Sequence, residues 1–248
     1  GGATTGLDNT FNPNLVGLQQ QIGLFANLIS PGESADSDAL YVLWVGANDY
    51  LPTNSAFTPF DTPETTIGNL SFALNSLATF GARNFLVVNL PDLGRLPLTR
   101  NRPDASNLNT LTSLHNARLT ATLNAFSQSP DFDLNIWQVD ANSLLSAAID
   151  NPAEFGFTNV TNACLGNLNC IFGGREVQDQ YLFWDGTHPT TVAHEQIGEL
   201  AYAELQSEPI PEPTTVVGTL VFVALATGWR LKHKSKKASS LKGREAVD

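Results

Sequence analysis

Residues 39–49, Ala-Leu-Tyr-Val-Leu-Trp-Val-Gly-Ala-Asn-Asp, contain an apolar run that ends in a short polar turn. Two further apolar runs follow along the chain, at Asn84–Asn89 and Leu134–Val139. Runs of this length without polar alternation are typical of strands that are buried on both faces, as in a parallel sheet. The sequence therefore predicts three parallel strands, of which Ala39–Val45 is the first.

Segments with the apolar spacing of helices lie between and around these strands. The predicted helices are Leu15–Leu28, Thr62–Phe80, about Leu108–Phe126, Ser143–Ile149 and about Thr190–Gln206. Asn151–Tyr181 shows neither period and is predicted to be irregular. Because strands and helices alternate, we expect an α/β fold with helices on both faces of the sheet.

A second motif, Asp185-Gly186-Thr187-His188-Pro189, combines a carboxylate and a histidine three residues apart. At this spacing Asp185 can accept a hydrogen bond from the ring N–H of His188, which fixes the tautomer and stabilises the imidazolium. Pro189 suits the first position of a helix, so His188 is predicted to stand at a loop-to-helix junction. The pair is typical of a general base with its orienting acid, although Asp185 could also be a simple turn residue.

Three motifs in order carry a family resemblance: Gly1-Gly2-Ala3-Thr4-Thr5-Gly6, Leu43–Asp49 and Asp185–Pro189. They resemble the second, third and fifth sequence blocks of the GDSL (SGNH) esterases and lipases, over about Gly1–Gln206. Phe155–Val160, which precedes a cysteine, resembles the lecithinase- or haemolysin-like phospholipase branch. The resemblance implies a flavodoxin-like three-layer SGNH hydrolase fold with strand order 2-1-3-4-5. The three predicted strands would then be the third, fourth and fifth of that sheet.

The resemblance also implies residue roles. His188 would be the general base and Asp185 its orienting acid, while the side chain of Asn48 and the backbone N–H of Gly2 would form the oxyanion hole. Gly1 could take the place of Gly2, but the glycine next to Ala3 matches the family pattern better. No cofactor is implied, and no His or Cys cluster has the spacing of a zinc site.

The family's nucleophile block, Gly-Asp-Ser, is absent from the sequence. We therefore interpret the chain as N-terminally truncated, with the serine and the first two strands expected upstream of Gly1. Ala39–Val45 would then form an open apolar sheet edge, and we expect the chain alone to be poorly soluble.

Other side chains receive weaker interpretations. Asp49 is expected to be a loop-stabilising hydrogen-bond acceptor, and His194 a surface or packing residue. His115 and His233 have no evident partner in the sequence. The segments Leu51–Phe60, Leu93–Asp104 and Asn151–Phe183 are predicted to surround the cleft. Their aromatic residues could provide apolar surface for an acyl chain; these are Phe57, Phe60, Phe155, Phe157 and Phe172.

The charge pattern separates an acidic body from a basic tail. Residues 1–229 carry six arginines against 22 acidic residues, and every lysine follows residue 231. A lysine-free acidic body argues against a nucleic-acid partner. Cys164 and Cys170 are the only cysteines. In an exported protein a loop disulfide between them is favoured over two free thiols.

The C-terminal segment is predicted to be a membrane-sorting tail. A Pro-rich linker at 207–213 is followed by the uncharged stretch Thr214–Trp229 and by a basic tail at 230–248. Sixteen residues form a helix of about 24 Å, slightly short of a full bilayer span, so a buried core helix is the alternative. The pattern resembles a PEP-CTERM tail, which implies export in a Gram-negative or cyanobacterial cell, a transient membrane anchor and an exosortase-type sorting protease as partner.

Together these features predict an exported serine ester hydrolase of the lipase, esterase or phospholipase type, built on residues 1–206. Its substrate would be an ester or a lipid, and the reaction would pass through an acyl-serine. The alternative is a catalytically silent surface protein that uses the same fold for adhesion or glycan binding.

Overall fold

The central sheet consists of three parallel strands in the order β1-β2-β3. They are β1 (Leu40–Leu43), β2 (Asn84–Val88) and β3 (Asn135–Val139), in a computed structural model that describes residues 2–12, 14–51 and 61–210. The three predicted strands are confirmed, each within two residues of its observed ends. Consecutive strands that pair in chain order agree with the third, fourth and fifth positions of a flavodoxin-like sheet.

Seven α-helices occur in the described ranges. They are α1 (Leu18–Ala26), α2 (Pro63–Phe80), α3 (Ala105–Ser127), α4 (Ala141–Asp150), α5 (Leu168–Phe172), α6 (Arg175–Gln178) and α7 (Thr191–Leu205). Short 3₁₀ turns occur at Ala47–Asp49, Leu93–Arg95, Pro152–Phe155 and Cys164–Gly166.

Local chemistry determines several helix ends. Thr62 caps α2 by accepting a hydrogen bond from the Thr65 N–H, and Gly81 ends that helix with a φ of 117°. Asp140 caps α4 in the same way through the Ser143 N–H, so this helix begins earlier than the apolar pattern predicts. All five predicted helices are present, with α1 shorter and α3 longer than expected.

A second, two-stranded parallel sheet replaces much of the stretch that we predicted to be irregular. It pairs β4 (Asn159–Ala163) with β5 (Tyr181–Phe183), and α5 and α6 lie between the two strands in sequence. The prediction of an irregular Asn151–Tyr181 is therefore wrong. The residues of β4 are half-buried or exposed, so its sequence lacks the apolar alternation by which strands are recognised.

Helices cover both faces of the central sheet. Phe85 and Val87 of β2 pack into a core with residues of α2 and α3, whereas Leu86 and Val88 pack beside Leu200 of α7. Because successive side chains of a strand point to opposite faces, α2 and α3 lie on one face and α7 on the other. This is the three-layer α/β arrangement that the sequence predicts.

The strand β1 lies at the edge of the sheet and pairs only with β2 among the described residues. Leu40, Val42 and Trp44 alternate along one face of this strand and its extension, and all three are exposed. Val42 keeps 57% of its surface. An apolar strand with an unpaired edge is a template for pairing with another chain.

The compact body reaches Ile210, whose N–H donates to the carbonyl oxygen of Ile136 at 2.9 Å. The ring N–H of Trp137 donates to the carbonyl of Ser207 at 3.1 Å. The predicted helix 214–229 and basic tail 230–248 lie outside the described residues. Within ranges 2–12, 14–51 and 61–210, every helix is too short or too polar to cross a bilayer.

Candidate active site

The three sequence motifs meet at one cavity of about 490 Å³. Gly2 and Ala3 line it from the N-terminal segment, Asn48 from the turn after β1, and His188 from the loop after β5. Sites in α/β proteins form at the carboxyl ends of parallel strands. Asn48 follows the carboxyl end of β1, and His188 follows that of β5. The structure therefore brings together Gly2, Asn48 and His188, with Asp185 behind the histidine.

The link between Asp185 and His188 is a direct hydrogen bond. His188 Nδ1 lies 2.8 Å from Asp185 Oδ2, and the side chain of His188 is 66% exposed. The other carboxylate oxygen, Oδ1, accepts from the backbone N–H groups of Thr187 at 2.8 Å and His188 at 2.7 Å. Because Nδ1 is occupied by Asp185, Nε2 is the ring nitrogen left to exchange a proton with a reactant.

The surroundings keep Asp185 ionised. Partial burial alone would raise its pKa, but the bonds from the His188 and Thr187 backbone and from the His188 ring outweigh burial and lower the pKa. A carboxylate that stays charged stabilises a protonated imidazole, which is what a general base needs after it has taken a proton.

The local frame of His188 differs from the prediction in one respect. Helix α7 begins at Thr191, whereas Pro189 pairs with Phe183 in an isolated antiparallel bridge. The His188 carbonyl accepts from the Trp184 N–H at 2.8 Å. Pro189 is therefore not the first helical residue, and His188 lies in a tight turn that this bridge closes against the end of β5.

Asn48 lies in the 3₁₀ turn Ala47–Asp49, with its side-chain amide directed by the N-terminal segment. Its Nδ2 donates to the carbonyl oxygen of Ala3 at 3.0 Å. An amide nitrogen carries two hydrogens, so one remains for another acceptor in the cavity. Gly2 has a φ of 84°, and a Cβ there would lie 2.5 Å from Asn9 Oδ1, so both backbone and space require glycine.

Asp49 joins the two motifs that carry these groups. Its buried carboxylate accepts from the Thr5 N–H at 3.1 Å and from the Thr5 hydroxyl at 2.5 Å. Burial raises the pKa of Asp49 to about 6, although the bonds from Thr5 act to lower it. The contact positions Gly2 and Ala3 beside Asn48, and it agrees with the acceptor role expected for Asp49.

A buried pair, His115 and Tyr50, packs against the turn Ala47–Asp49 and was not predicted from the sequence. His115 of α3 is fully buried, and its Nδ1 lies 2.9 Å from the hydroxyl of Tyr50. Gly46, with a φ of 121°, would bring a Cβ within 2.9 Å of His115 Cε1. Burial lowers the pKa of His115 to about 4, so its ring is neutral at pH 7. His115 lies in the buried stripe of α3 with Leu108, Thr112, Leu119 and Leu123, and this helical spacing was the available signal.

The cavity walls are mainly apolar. Leucines and Phe183 form one side, and the rings of Trp44 and His194 meet at 6.2 Å on another. His194 thus packs at the wall, with Nδ1 bonded to the Thr190 carbonyl. Phe155 and Phe157 pack into the hydrophobic core. The prediction that these two rings provide surface for an acyl chain is therefore wrong. Phe57 and Phe60 lie outside the described residues.

Cys164 and Cys170 form a disulfide with Cα atoms 5.3 Å apart, and both are buried. The bridge closes the loop that follows β4. Leu165 N–H donates to the Trp184 carbonyl at 2.8 Å, so this loop attaches one residue before Asp185. Within the described ranges, no group of three His, Cys, Asp or Glu side chains is placed to hold a metal ion.

Comparisons with known proteins agree with this geometry. Residues 1–201 match the family model described as GDSL-like Lipase/Acylhydrolase. A GDSL esterase/lipase of Arabidopsis thaliana is 30% identical over 69% of this chain and 53% of its own length. A GDSL lipase of Tanacetum cinerariifolium is 27% identical over 75% of this chain and 57% of its own length.

A bacterial relative carries a different name. A phosphatidylcholine-sterol acyltransferase of Aeromonas hydrophila is 25% identical over 71% of this chain and 63% of its own length. The chain spans about half the length of the curated relatives that it matches first. Because the family model covers four-fifths of the sequence and its motifs meet at one cavity, the chain belongs to the GDSL-like lipase/acylhydrolase family.

Proposed function

We propose that this chain supplies the acid–base pair and the oxyanion hole of a serine ester hydrolase. One observation carries the proposal: the Asp185–His188 pair, bonded at 2.8 Å, faces the cavity that Gly2 and Asn48 also line. An imidazole oriented by a carboxylate, next to N–H donors for an oxyanion, is the arrangement that acyl transfer needs.

In the proposed reaction, His188 Nε2 takes the proton of a serine hydroxyl as its oxygen attacks the ester carbonyl. The carbonyl oxygen becomes an oxyanion, which accepts hydrogen bonds from Asn48 Nδ2 and the Gly2 N–H. The intermediate then breaks its ester C–O bond, and the leaving alcohol receives the proton from His188. A water molecule attacks the acyl-serine by the same steps and releases the acid.

The serine is proposed to lie on a segment upstream of Gly1, together with the first two strands of the sheet. The described residues that line the cavity include no serine. Val42, Leu43 and Trp44 also line the cavity, so it extends along β1, which pairs only with β2 in the part of the chain that the structure describes. A strand placed beside β1 would deliver a residue at its carboxyl end close to His188 and Asn48.

The substrate is proposed to be a carboxylic ester with an apolar acyl group. Support comes from the leucine-rich walls and from the names of the relatives, which include lipases and a phosphatidylcholine-sterol acyltransferase. A lipid or phospholipid ester fits this lining better than a carbohydrate ester, which would need more polar groups in the walls.

The first test is the reading frame upstream of the Gly1 codon. A frame that continues through a Gly-Asp-Ser-like motif supports the hydrolase. In that longer protein, His188→Ala should lower hydrolysis of p-nitrophenyl butyrate by about three orders of magnitude or more and abolish serine labelling by a fluorophosphonate. Unchanged thermal unfolding of the variant serves as the control.

Two outcomes would contradict the hydrolase. One is an upstream block without a serine, and the other is undiminished turnover in His188→Ala. Either would favour the silent adhesion or glycan-binding protein, which has no use for a nucleophile.

We further propose that the protein is exported and held transiently in a membrane by the predicted helix 214–229 before an exosortase-type protease removes the tail. The Cys164–Cys170 bridge supports an oxidising compartment, and the lysine-free body followed by a basic tail suits this route. Mass spectrometry of the protein from its native cells should find a C-terminus between 206 and 214 at the cell surface. An intact Asp248 in the cytoplasmic fraction would contradict this.

A further inference from the structure

We infer that the disulfide-closed loop after β4 docks the protein onto the surface of a zwitterionic phospholipid bilayer. The loop comprises residues 164–173 and is called here the staple loop. This inference rests on the proposed function, because a hydrolase of lipid esters must reach substrates that lie in a lipid–water interface.

The staple loop presents apolar side chains to solvent. Leu165, Leu168 and Phe172 are 52%, 71% and 81% exposed. Leu168 and Phe172 lie one turn apart on the same side of α5, whereas the two cysteines are fully buried. Three large exposed apolar groups within eight residues form a patch that is unfavourable in water and therefore points to a partner.

The charge of the surrounding segment indicates which partner. No charged residue occurs between Glu154 and Arg175, and the exposed polar groups of the loop are amides such as Asn167 and Asn169. Residues 1–210 carry six arginines against 21 acidic residues, so an anionic bilayer would repel the body. An uncharged patch on an acidic body fits a surface with no net charge, which phosphatidylcholine provides.

The size of the patch favours a lipid surface over a protein. Stable protein interfaces use roughly 20–30 residues on each side, far more than one short loop provides. A few apolar side chains that enter the boundary between headgroups and acyl chains are sufficient for reversible binding to a bilayer.

The position of the staple loop connects it to the candidate site. The loop follows the carboxyl end of β4, and Asp185 and His188 follow the carboxyl end of β5, which is parallel to β4. Both therefore start from the same edge of this small sheet. The bond from Leu165 N–H to the Trp184 carbonyl and the bond from Asn167 Nδ2 to the Tyr181 hydroxyl, 3.2 Å, join the loop to β5 and its extension.

Binding of residues 1–210, the compact body without the predicted membrane helix, to dioleoylphosphatidylcholine vesicles tests the inference. The variant Leu165→Ser/Leu168→Ser/Phe172→Ser should lower the partition coefficient at least tenfold in a sedimentation assay. The matched control is Leu24→Ser/Leu28→Ser/Phe72→Ser, which also removes two leucines and one phenylalanine, 55%, 82% and 61% exposed. The control should change the coefficient less than threefold, and neither the predicted membrane helix nor the lysines of the tail contribute to binding of residues 1–210.

Hydrogen exchange localises the contact in the unmutated chain. Vesicles should slow exchange of the amides in 165–173 and leave those of α2 unchanged. Equal loss of binding in both variants, or binding without protection of the staple loop, would overturn the inference. A staple-loop variant that changes the oligomeric state without vesicles would also overturn it and assign the patch to a second copy of the chain.

The assay measures binding and not hydrolysis. A longer protein that binds vesicles through the staple loop but hydrolyses no ester would therefore contradict the proposed function alone. A longer protein that hydrolyses soluble esters, with vesicle binding indifferent to this loop, would contradict the docking inference alone.

Discussion

At the scale of single residues, two buried titratable groups near the candidate site have pKa values that burial shifts in opposite directions. Asp49 is buried with its pKa raised to about 6, and His115 is buried with its pKa lowered to about 4. Both shifts have burial as their largest cause, since removal from water disfavours the charged form of either group. Tyr50 follows Asp49 in sequence and bonds to His115, so the two groups lie on either side of one turn.

The two groups should therefore affect stability in opposite directions of pH. The Asp49 contribution is present below pH 3.8, the ordinary pKa of an aspartate, and is lost as the pH rises through about 6. The His115 contribution is present above pH 6.5 and is lost as the pH falls through about 4. A pKa change of this size corresponds to about 3 kcal/mol of stability for each group.

We expect Asp49→Asn to become more stable, relative to the unmutated chain, as the pH rises from 4 to 7. We expect His115→Gln to become relatively more stable as the pH falls over the same window. Urea unfolding at four pH values measures both slopes. The measured quantity is the difference in free energy of unfolding between each variant and the unmutated chain. If this difference changes with pH in the same direction for both variants, or does not change for either, burial of these groups does not govern stability.

At the scale of secondary-structure elements, two glycines illustrate opposite demands. Gly46 precedes the turn that carries Asn48, with a φ of 121° and His115 close to where a Cβ would lie. Gly68 lies in the interior of α2, exposed, with open space around a Cβ. A glycine in a helix interior lowers stability by roughly 0.5–1 kcal/mol relative to alanine.

We expect Gly68→Ala to raise the free energy of unfolding by about 0.5–1 kcal/mol, because alanine favours the helix and meets no neighbour. Gly46→Ala should lower it by about 2 kcal/mol, because the backbone is left-handed and the methyl group meets His115. Denaturant unfolding of the two variants and the unmutated chain measures the sign of each change in the free energy of unfolding. A neutral Gly46→Ala would show that the turn can relax away from α3.

The strands and helices differ in how closely they could be predicted from their sequences. The strands of the central sheet are continuous apolar runs, and α2 has its cap and stop residues, so both could be predicted closely. β4 and β5 could not, because β4 is an asparagine-rich strand with no fully buried residue. The prediction that Pro189 begins a helix was wrong because a proline suits a helix start and a bridge position equally. Its pairing with Phe183 depends on tertiary contacts.

The motifs predicted which residues come together at the cavity, whereas the contacts that hold them in place could be predicted only in part. Asp185 and His188 are near in sequence, so their hydrogen bond could be predicted from spacing alone. Thr5 and Asp49 are 44 positions apart, and His115 and Tyr50 are 65 apart. No local pattern reports such pairs, and only the folded chain shows that they hold the turn around Asn48.

At the scale of the whole molecule, β1 is an edge strand that pairs with β2 alone within residues 2–12, 14–51 and 61–210. Val42 and its neighbours present an apolar face on this strand, and a sheet whose apolar edge strand lacks a partner tends to associate. The same strand contributes to the cavity wall, so association there would also block the candidate site.

We expect the 248-residue chain to associate as its concentration rises, because β1 of one copy can pair with that of another. Val42→Lys should suppress this association, since a lysine on an edge strand opposes pairing. Leu114→Lys, on the exposed side of α3, is the matched control and should leave it unchanged. Sedimentation velocity measures all three, and a monomeric chain with a sharp thermal transition would contradict the expectation.

The cavity draws its wall from almost the full length of the body, and this has a consequence for the time course of synthesis. Gly2 and His188 are 186 positions apart. A ribosome adds about 5–20 residues per second, so roughly 10–40 s pass between the two. Throughout that interval Val42 and Trp44 have neither the β5 loop nor α7 beside them, and the nascent chain exposes an unfinished apolar wall. The growing polypeptide thus keeps an apolar surface exposed to solvent until His188 has left the ribosome.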